Sequence, residues 1–212
     1  MVAIEGIKLM TNLQIRTEPA SMTVDISALM TFQHMNEEQF YEFCHLNPDL
    51  QIERNAQGEV IVMPPAFSDT GNRNNKISYQ LTCWAEQDNT GEVFDSSAGF
   101  TLPNGAMRSP DAAWIKLDRW NALTDAQKSS FAPICPDFVI ELRSASDTLK
   151  SLQAKMQEYM ENGASLGLLI DRQALTVYCY RADGSVAVFN NPELVSCDPE
   201  LPSFNLYMAK IW

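Results

Sequence analysis

Apolar positions recur at a helical period in some stretches of the chain and fall into short runs or alternation in others, and this division lays out the elements. The first sustained helical period begins at 36 or 37. Phe40, Phe43 and Cys44 share a face there, Asn36 can cap, and Glu37 and Glu38 suit the positive end of a helix dipole. Asn47-Pro48 stops it. Residues 1–34 carry no sustained period and read as a loosely attached lead-in. Strands at 50–53 and 59–63, joined by 54–58 with Gly58 last, predict a hairpin that Pro64-Pro65 closes. Residues 72–87 predict an amphipathic helix with Ile77, Leu81 and Trp84 on one face. Strand-like runs follow at 92–94, 99–102 and 111–115, then a polar, helical excursion over 117–130. The run 138–142 is short and apolar, as in a buried central strand. A strong helix from 147 or 148 to 162 has Gly163 in the C-cap role, and strands at 166–170, 175–180 and 185–189 close the chain.

No repeat, low-complexity run or internal linker interrupts this order. Residues 35–212 therefore predict one α/β domain, with a central mixed sheet flanked by helices and an N-terminal hairpin. With 45% hydrophobic and 20% charged residues, the chain can bury a substantial core. Lys plus Arg is 15 against 27 Asp plus Glu, a net charge of -12. That sign excludes a protein held on nucleic acid by bulk charge, because such binding rests on counterion release by Lys and Arg. It leaves room for an enzyme whose acidic site first takes up divalent cations.

The five cysteines, Cys44, Cys83, Cys135, Cys179 and Cys197, lie far apart and form no CxxC pair, and only His34 and His45 are available beside them. A thiolate or histidine metal site is therefore not expected, and free thiols in a reducing cytoplasm are. No run reaches the roughly 18–20 apolar residues of a membrane span, and the N-terminus lacks the pattern of a signal peptide. A glycine-rich phosphate loop and a GxSxG elbow are both missing, which disfavours an NTPase, a dinucleotide enzyme and a serine hydrolase. Trp84, Trp114 and Trp120 read as packing residues rather than base-stacking platforms.

Two carboxylates carry the candidate chemistry. Asp111 opens the strand Ala112, Ala113, Trp114, Ile115, and Glu141 interrupts the apolar run 138–142. An isolated charge in a buried strand costs on the order of several kcal/mol, so Glu141 calls for a partner or a cation. Two acids meeting from adjacent strands make a hard oxygen site suited to Mg²⁺ or Mn²⁺, which could activate water against a phosphodiester. Asp137 shares a face with Glu141, but four residues at about 3.3 Å each put the two about 13 Å apart, too far for one ion. Arg143, two residues beyond Glu141, could hold a phosphate oxygen but cannot be a general base. On the following helix Lys155 flanks the apolar stripe Leu149, Leu152, Met156 and Tyr159, about 90° from its centre. It could reach the site, and a solvated flank position would look the same. Glu53 in the hairpin is a further acid, for which an exposed position is also an explanation.

The segments 108–114 (RSPDAAW), 135–144 (CPDFVIELRS), 152–159 (LQAKMQEY) and 163–170 (GASLGLLI), in this order, resemble the PD-(D/E)XK nuclease superfamily. Within it the chain is similar to the bacterial Uma2-like group of restriction-endonuclease relatives, from about 36 to 212. The resemblance implies an αβββαβ core, a homodimer, and Mg²⁺- or Mn²⁺-dependent cleavage of DNA with Asp111 and Glu141 as metal ligands. Where the superfamily places its lysine this chain has Arg143, and the group supplies the lysine from the next helix, which makes Lys155 the replacement. A further carboxylate at Glu53 would complete the set. Two other readings remain open: a silent nuclease-fold binding module, which tolerates loss of both acids, and a small-molecule phosphoesterase, which turns over esters without cutting DNA.

Overall fold

The structure is a computed structural model that describes residues 35–212 throughout and, before them, the strands at 13–17, 20–24 and 30–32. The rest of the lead-in expected at 1–34 lies outside the described residues. The chain divides into two compact units, Met1–Pro65 and Ala66–Trp212.

In the first unit β1 (Leu13–Thr17) pairs antiparallel with β2 (Ala20–Val24). β3 (Met30–Phe32) lines up on the later β5, with Thr31 opposite Ile61. The sequence offered no period that predicts this strand. A three-residue strand is shorter than the window in which alternation can be recognised. Helix α1 (Glu37–Leu46) is closed by a capping box in which Asn36 and Gln39 bond each other's backbone N–H, and it buries Phe40 and Phe43. β4 (Gln51–Arg54) and β5 (Val60–Met63) form the expected hairpin, with Ile52 opposite Val62. Asn55 Oδ1 accepts from the backbone of Gln57 and Glu59 to shape its turn.

The second unit runs α2 (Ser68–Asp88), β6 (Gly91–Asp95), β7 (Phe100–Thr101), β8 (Met107–Arg108), β9 (Ala112–Lys116), α3 (Leu117–Asn121), α4 (Asp125–Lys128), β10 (Phe138–Leu142), α5 (Leu149–Glu161), β11 (Leu166–Asp171), β12 (Thr176–Arg181), β13 (Val186–Asn190), β14 (Leu194–Ser196) and β15 (Asn205–Tyr207). Six strands make one sheet in the order β13-β12-β11-β10-β9-β6. Only β10 and β11 are parallel, joined by the α5 crossover, and the other neighbours are antiparallel. The fold is a mixed α/β architecture with helices against a central mixed sheet.

Alternation along β10 divides the core. Phe138, Ile140 and Leu142 pack with Ile77 and Leu81 of α2 and with the C-terminal Val195, Phe204 and Leu206. Val139 points the other way, toward Leu152, Met156 and Tyr159 of α5. Glu141 shares that parity, so the alternation aims an acid at α5. Trp114 sits in the first of these clusters with its ring 5.6 Å from that of Trp84, a packing role as expected. β14 and β15 carry no sequence signal, being three residues each with polar neighbours.

Thr148 caps α5 by accepting from the Ser151 N–H, and the helix stops at Asn162 before Gly163 at φ +103. Nothing lies within 4 Å of where a Gly163 side chain would start, so only the backbone demands glycine there. Gly163→Ala is therefore expected to lower stability by about 1–2 kcal/mol through backbone strain alone, measured by urea unfolding, with the slope of the transition unchanged.

Candidate active site

The register of β9 on β10 sets Ala112 opposite Ile140, and one further step brings Asp111 level with Glu141. Asp111 leaves the end of β9 and returns to β10 through its side chain: Oδ2 accepts the Leu142 N–H at 2.7 Å. From α2, Asn74 Nδ2 donates to Asp111 Oδ1 at 2.5 Å. Three elements therefore meet at one carboxylate. Burial pushes Asp111 above the ordinary carboxylate range, while the Leu142 N–H and the positive charge of Lys155 pull it down; Asp147 adds to the upward shift.

Glu141 is 4% exposed. Its Oε1 accepts from Lys155 Nζ at 2.7 Å and from the Tyr159 hydroxyl at 3.0 Å. Lys155 and Tyr159 are one turn apart on α5, so a single helical face delivers both groups. The Lys155 side chain is 13% exposed, which resolves the ambiguity of its flanking position: it points inward. The structure thus gathers Asp111, Glu141 and Lys155.

Arg143 is placed differently. Its Nη1 pairs with the buried Asp171 at 2.8 Å and its Nε donates to the Asp147 carbonyl at 3.3 Å. The Asp147 carboxylate in turn accepts from the Ser144 N–H and hydroxyl. Arg143 therefore braces the turn between β10 and α5. Asp137 stays apart from this group, as the spacing argument required. It accepts the Lys116 N–H at 3.0 Å and pairs with Arg119 at 2.8 Å, tying β9 to β10 at their other end. Glu53, on β4 of the first unit, is 3% exposed, so an exposed hairpin position does not explain it.

Uma2, described as "Putative restriction endonuclease", is the family whose pattern matches residues 37–209. The chain belongs to the Uma2 family. Among solved structures it is similar to "a putative nuclease belonging to DUF820 from Anabaena variabilis ATCC 29413", at a TM-score of 0.69 and 18% identity over 84% of this chain and 97% of that one. At that identity the likeness shows the fold. No curated protein matches. The family and the fold together make this a restriction-endonuclease-like nuclease chain.

The residues fit a hard divalent cation of the kind such nucleases use. Among the described residues no three His, Cys, Asp or Glu side chains cluster. Mg²⁺, however, is ordinarily held by only one or two carboxylates plus water and substrate phosphate. Asp111 and Glu141 supply two, and Asn74 Oδ1 is buried beside them without a hydrogen-bond partner, an oxygen in want of a positive neighbour. The sequence reading missed both Asn74 and Tyr159. Asn74 lies in a long polar stretch of α2 that offers no local signal. Tyr159 was visible as a stripe residue, but its hydroxyl was not assigned a partner.

Because folding raises the Asp111 pKa, its ionisation works against the folded state. That cost is absent well below the ordinary value of 3.8 and grows as pH rises through it. In chelator, Asp111→Asn is therefore expected to unfold at a higher temperature than the parent at pH 7, with the gap closing toward pH 4. The new amide keeps an acceptor for Leu142 and can donate to the orphaned Asn74 oxygen. A Tm that falls equally at both pH values would sink this account.

Proposed function

We propose that the protein is a Mg²⁺- or Mn²⁺-dependent endonuclease that hydrolyses phosphodiester bonds of DNA. The observation that carries the reading is Lys155 Nζ, 2.7 Å from Glu141 and near enough to Asp111 for its charge to act there. An acid pair with one half-buried lysine among them is the minimum set for phosphodiester hydrolysis assisted by a cation. Asp111 and Glu141 would hold the ion, which when bound lowers the pKa of water and offsets charge on the phosphate.

The chain's own groups do the rest. Lys155 donates to the attacking water or to a non-bridging phosphate oxygen, and Tyr159 and Lys155 together hold Glu141 in one rotamer. Asn74 and the Leu142 N–H fix the Asp111 carboxylate. Arg143, braced by Asp171, steadies a phosphate oxygen with its remaining N–H groups. A homodimer is supported by the sheet-edge strand β13, where Val186, Val188 and Phe189 are exposed. Five cysteines without a disulfide support a cytoplasmic setting. No helix of the described residues is long and apolar enough to cross a membrane.

The deciding experiment is cleavage of supercoiled and single-stranded DNA in Mg²⁺ or Mn²⁺. Glu141→Gln and Lys155→Ala, checked for native circular dichroism, are each expected to lose about 10²–10⁴-fold in rate. The expectation of a further acid at Glu53 is tested in the same assay by Glu53→Gln. No nicking by the parent protein under either ion, together with no ion uptake in calorimetry, would transfer the chain to the silent binding module.

A further inference from the structure

Beyond the site, the C-terminal ends of the parallel strands place a second cationic group. Asp171 ends β11, and its Oδ1 accepts the N–H groups of Gln173 and Ala174, so the turn that follows is fixed. Arg172 leaves from that turn and reaches the first turn of α2, where its Nη2 meets Asp69 Oδ2 at 2.6 Å. Arg73, one helical turn beyond Asp69, bonds the other oxygen of the same carboxylate. Its Nε and Nη2 are held by main-chain oxygens of Ile211 and Trp212 at 2.7 and 3.2 Å. Two guanidiniums thus converge on one carboxylate, and they repel: after burial, the Arg172 charge pulls Arg73 below its ordinary value.

This arrangement is not accounted for by stability. Asp69 is 58% exposed, so solvent weakens its ion pairs, which are worth little at such a surface. Arg172 has its Nε buried with no hydrogen-bond partner, a donor left unmet beside a carboxylate that offers two oxygens where more are needed. A phosphate presents additional acceptor oxygens and carries its charge in the same place. The pair also adjoins residues of the site along the chain. Arg73 precedes Asn74, which holds Asp111, and Arg172 follows Asp171, which holds Arg143.

We infer that Arg73 and Arg172 form a phosphodiester-binding subsite that flanks the Asp111–Glu141 centre, and that Asp69 fills it as an internal stand-in until a nucleic-acid phosphate displaces it. The inference rests on the proposed nuclease activity and adds where the strand runs: from the carboxylates across the ends of β10 and β11 to the start of α2. Displacement turns the Asp69 side chain outward to water, frees one N–H of Arg73 Nη1 while the other stays on the Asp69 carbonyl, and gives Arg172 acceptors on both sides of its fork. The subsite reads backbone and not sequence, because it contacts phosphate alone.

Fluorescence anisotropy of a labelled DNA duplex, in Ca²⁺ across a salt series, tests this with two variants of opposite sign. Arg172→Gln is expected to weaken binding about tenfold and to lower the slope of log affinity against log salt by about 1. Asp69→Asn removes the stand-in and is expected to tighten binding about three- to tenfold. A merely structural triad predicts the reverse for Asp69→Asn, since losing the bridge would loosen both arginines. DNA cleavage by the parent protein with affinity and salt slope unmoved in both variants would overturn the subsite and leave the nuclease reading standing. Neither binding nor cleavage by the parent protein would overturn both.

Discussion

A carboxylate inside a β-sheet is the constraint around which the second unit is arranged. Glu141 sits in the fully buried strand β10, where an unpaired charge would cost several kcal/mol, order of magnitude. Lys155 and Tyr159 answer it from one face of α5. An apolar residue at 141 would satisfy the core at least as well, because a buried ion pair contributes little net stability once its desolvation is counted. Folding stability alone therefore does not account for the pair.

The parallel step between β10 and β11 decides where that chemistry faces. Side chains leaving the C-terminal ends of parallel strands open into the space that the crossover helix does not cover, and ligands in α/β sheets collect there. Arg143, Asp171 and Arg172 lie at that end, Glu141 sits just inside it under α5, and α2 presents Asp69, Arg73 and Asn74 to it. The opposite end is closed by Asp137, Arg119 and Lys116, whose bonds join β9 to β10.

An acidic composition and a set of cationic side chains are reconciled in the same place. Lys155 stands against Glu141, Arg143 against Asp171, and Arg172 with Arg73 against Asp69. Lys155 and Arg143 each face one acid and Arg73 and Arg172 share another, so a chain of net charge -12 holds these cations in fixed positions.

The α/β order, the central strand 138–142, the helix closed by Gly163, and the acids Asp111 and Glu141 were legible in the sequence, since periodicity, capping and a charge within an apolar run are local patterns. Lys155 was legible only as a flank residue, because helical phase alone does not say whether such a residue bends to the sheet or to water. The strand at 30–32, the short β14 and β15, Asn74 above Asp111, and the bond from Tyr159 to Glu141 came from tertiary structure alone. Each joins residues with no periodic or spacing rule between them, as does the carboxylate Asp69 shared by Arg73 and Arg172, which are 99 positions apart in the chain. Sequence by itself determined which groups are available and on which element each one rides. Only the fold decided which of them meet, because the contact depends on strand register and helix rotation, and these are set by the packing of the whole core.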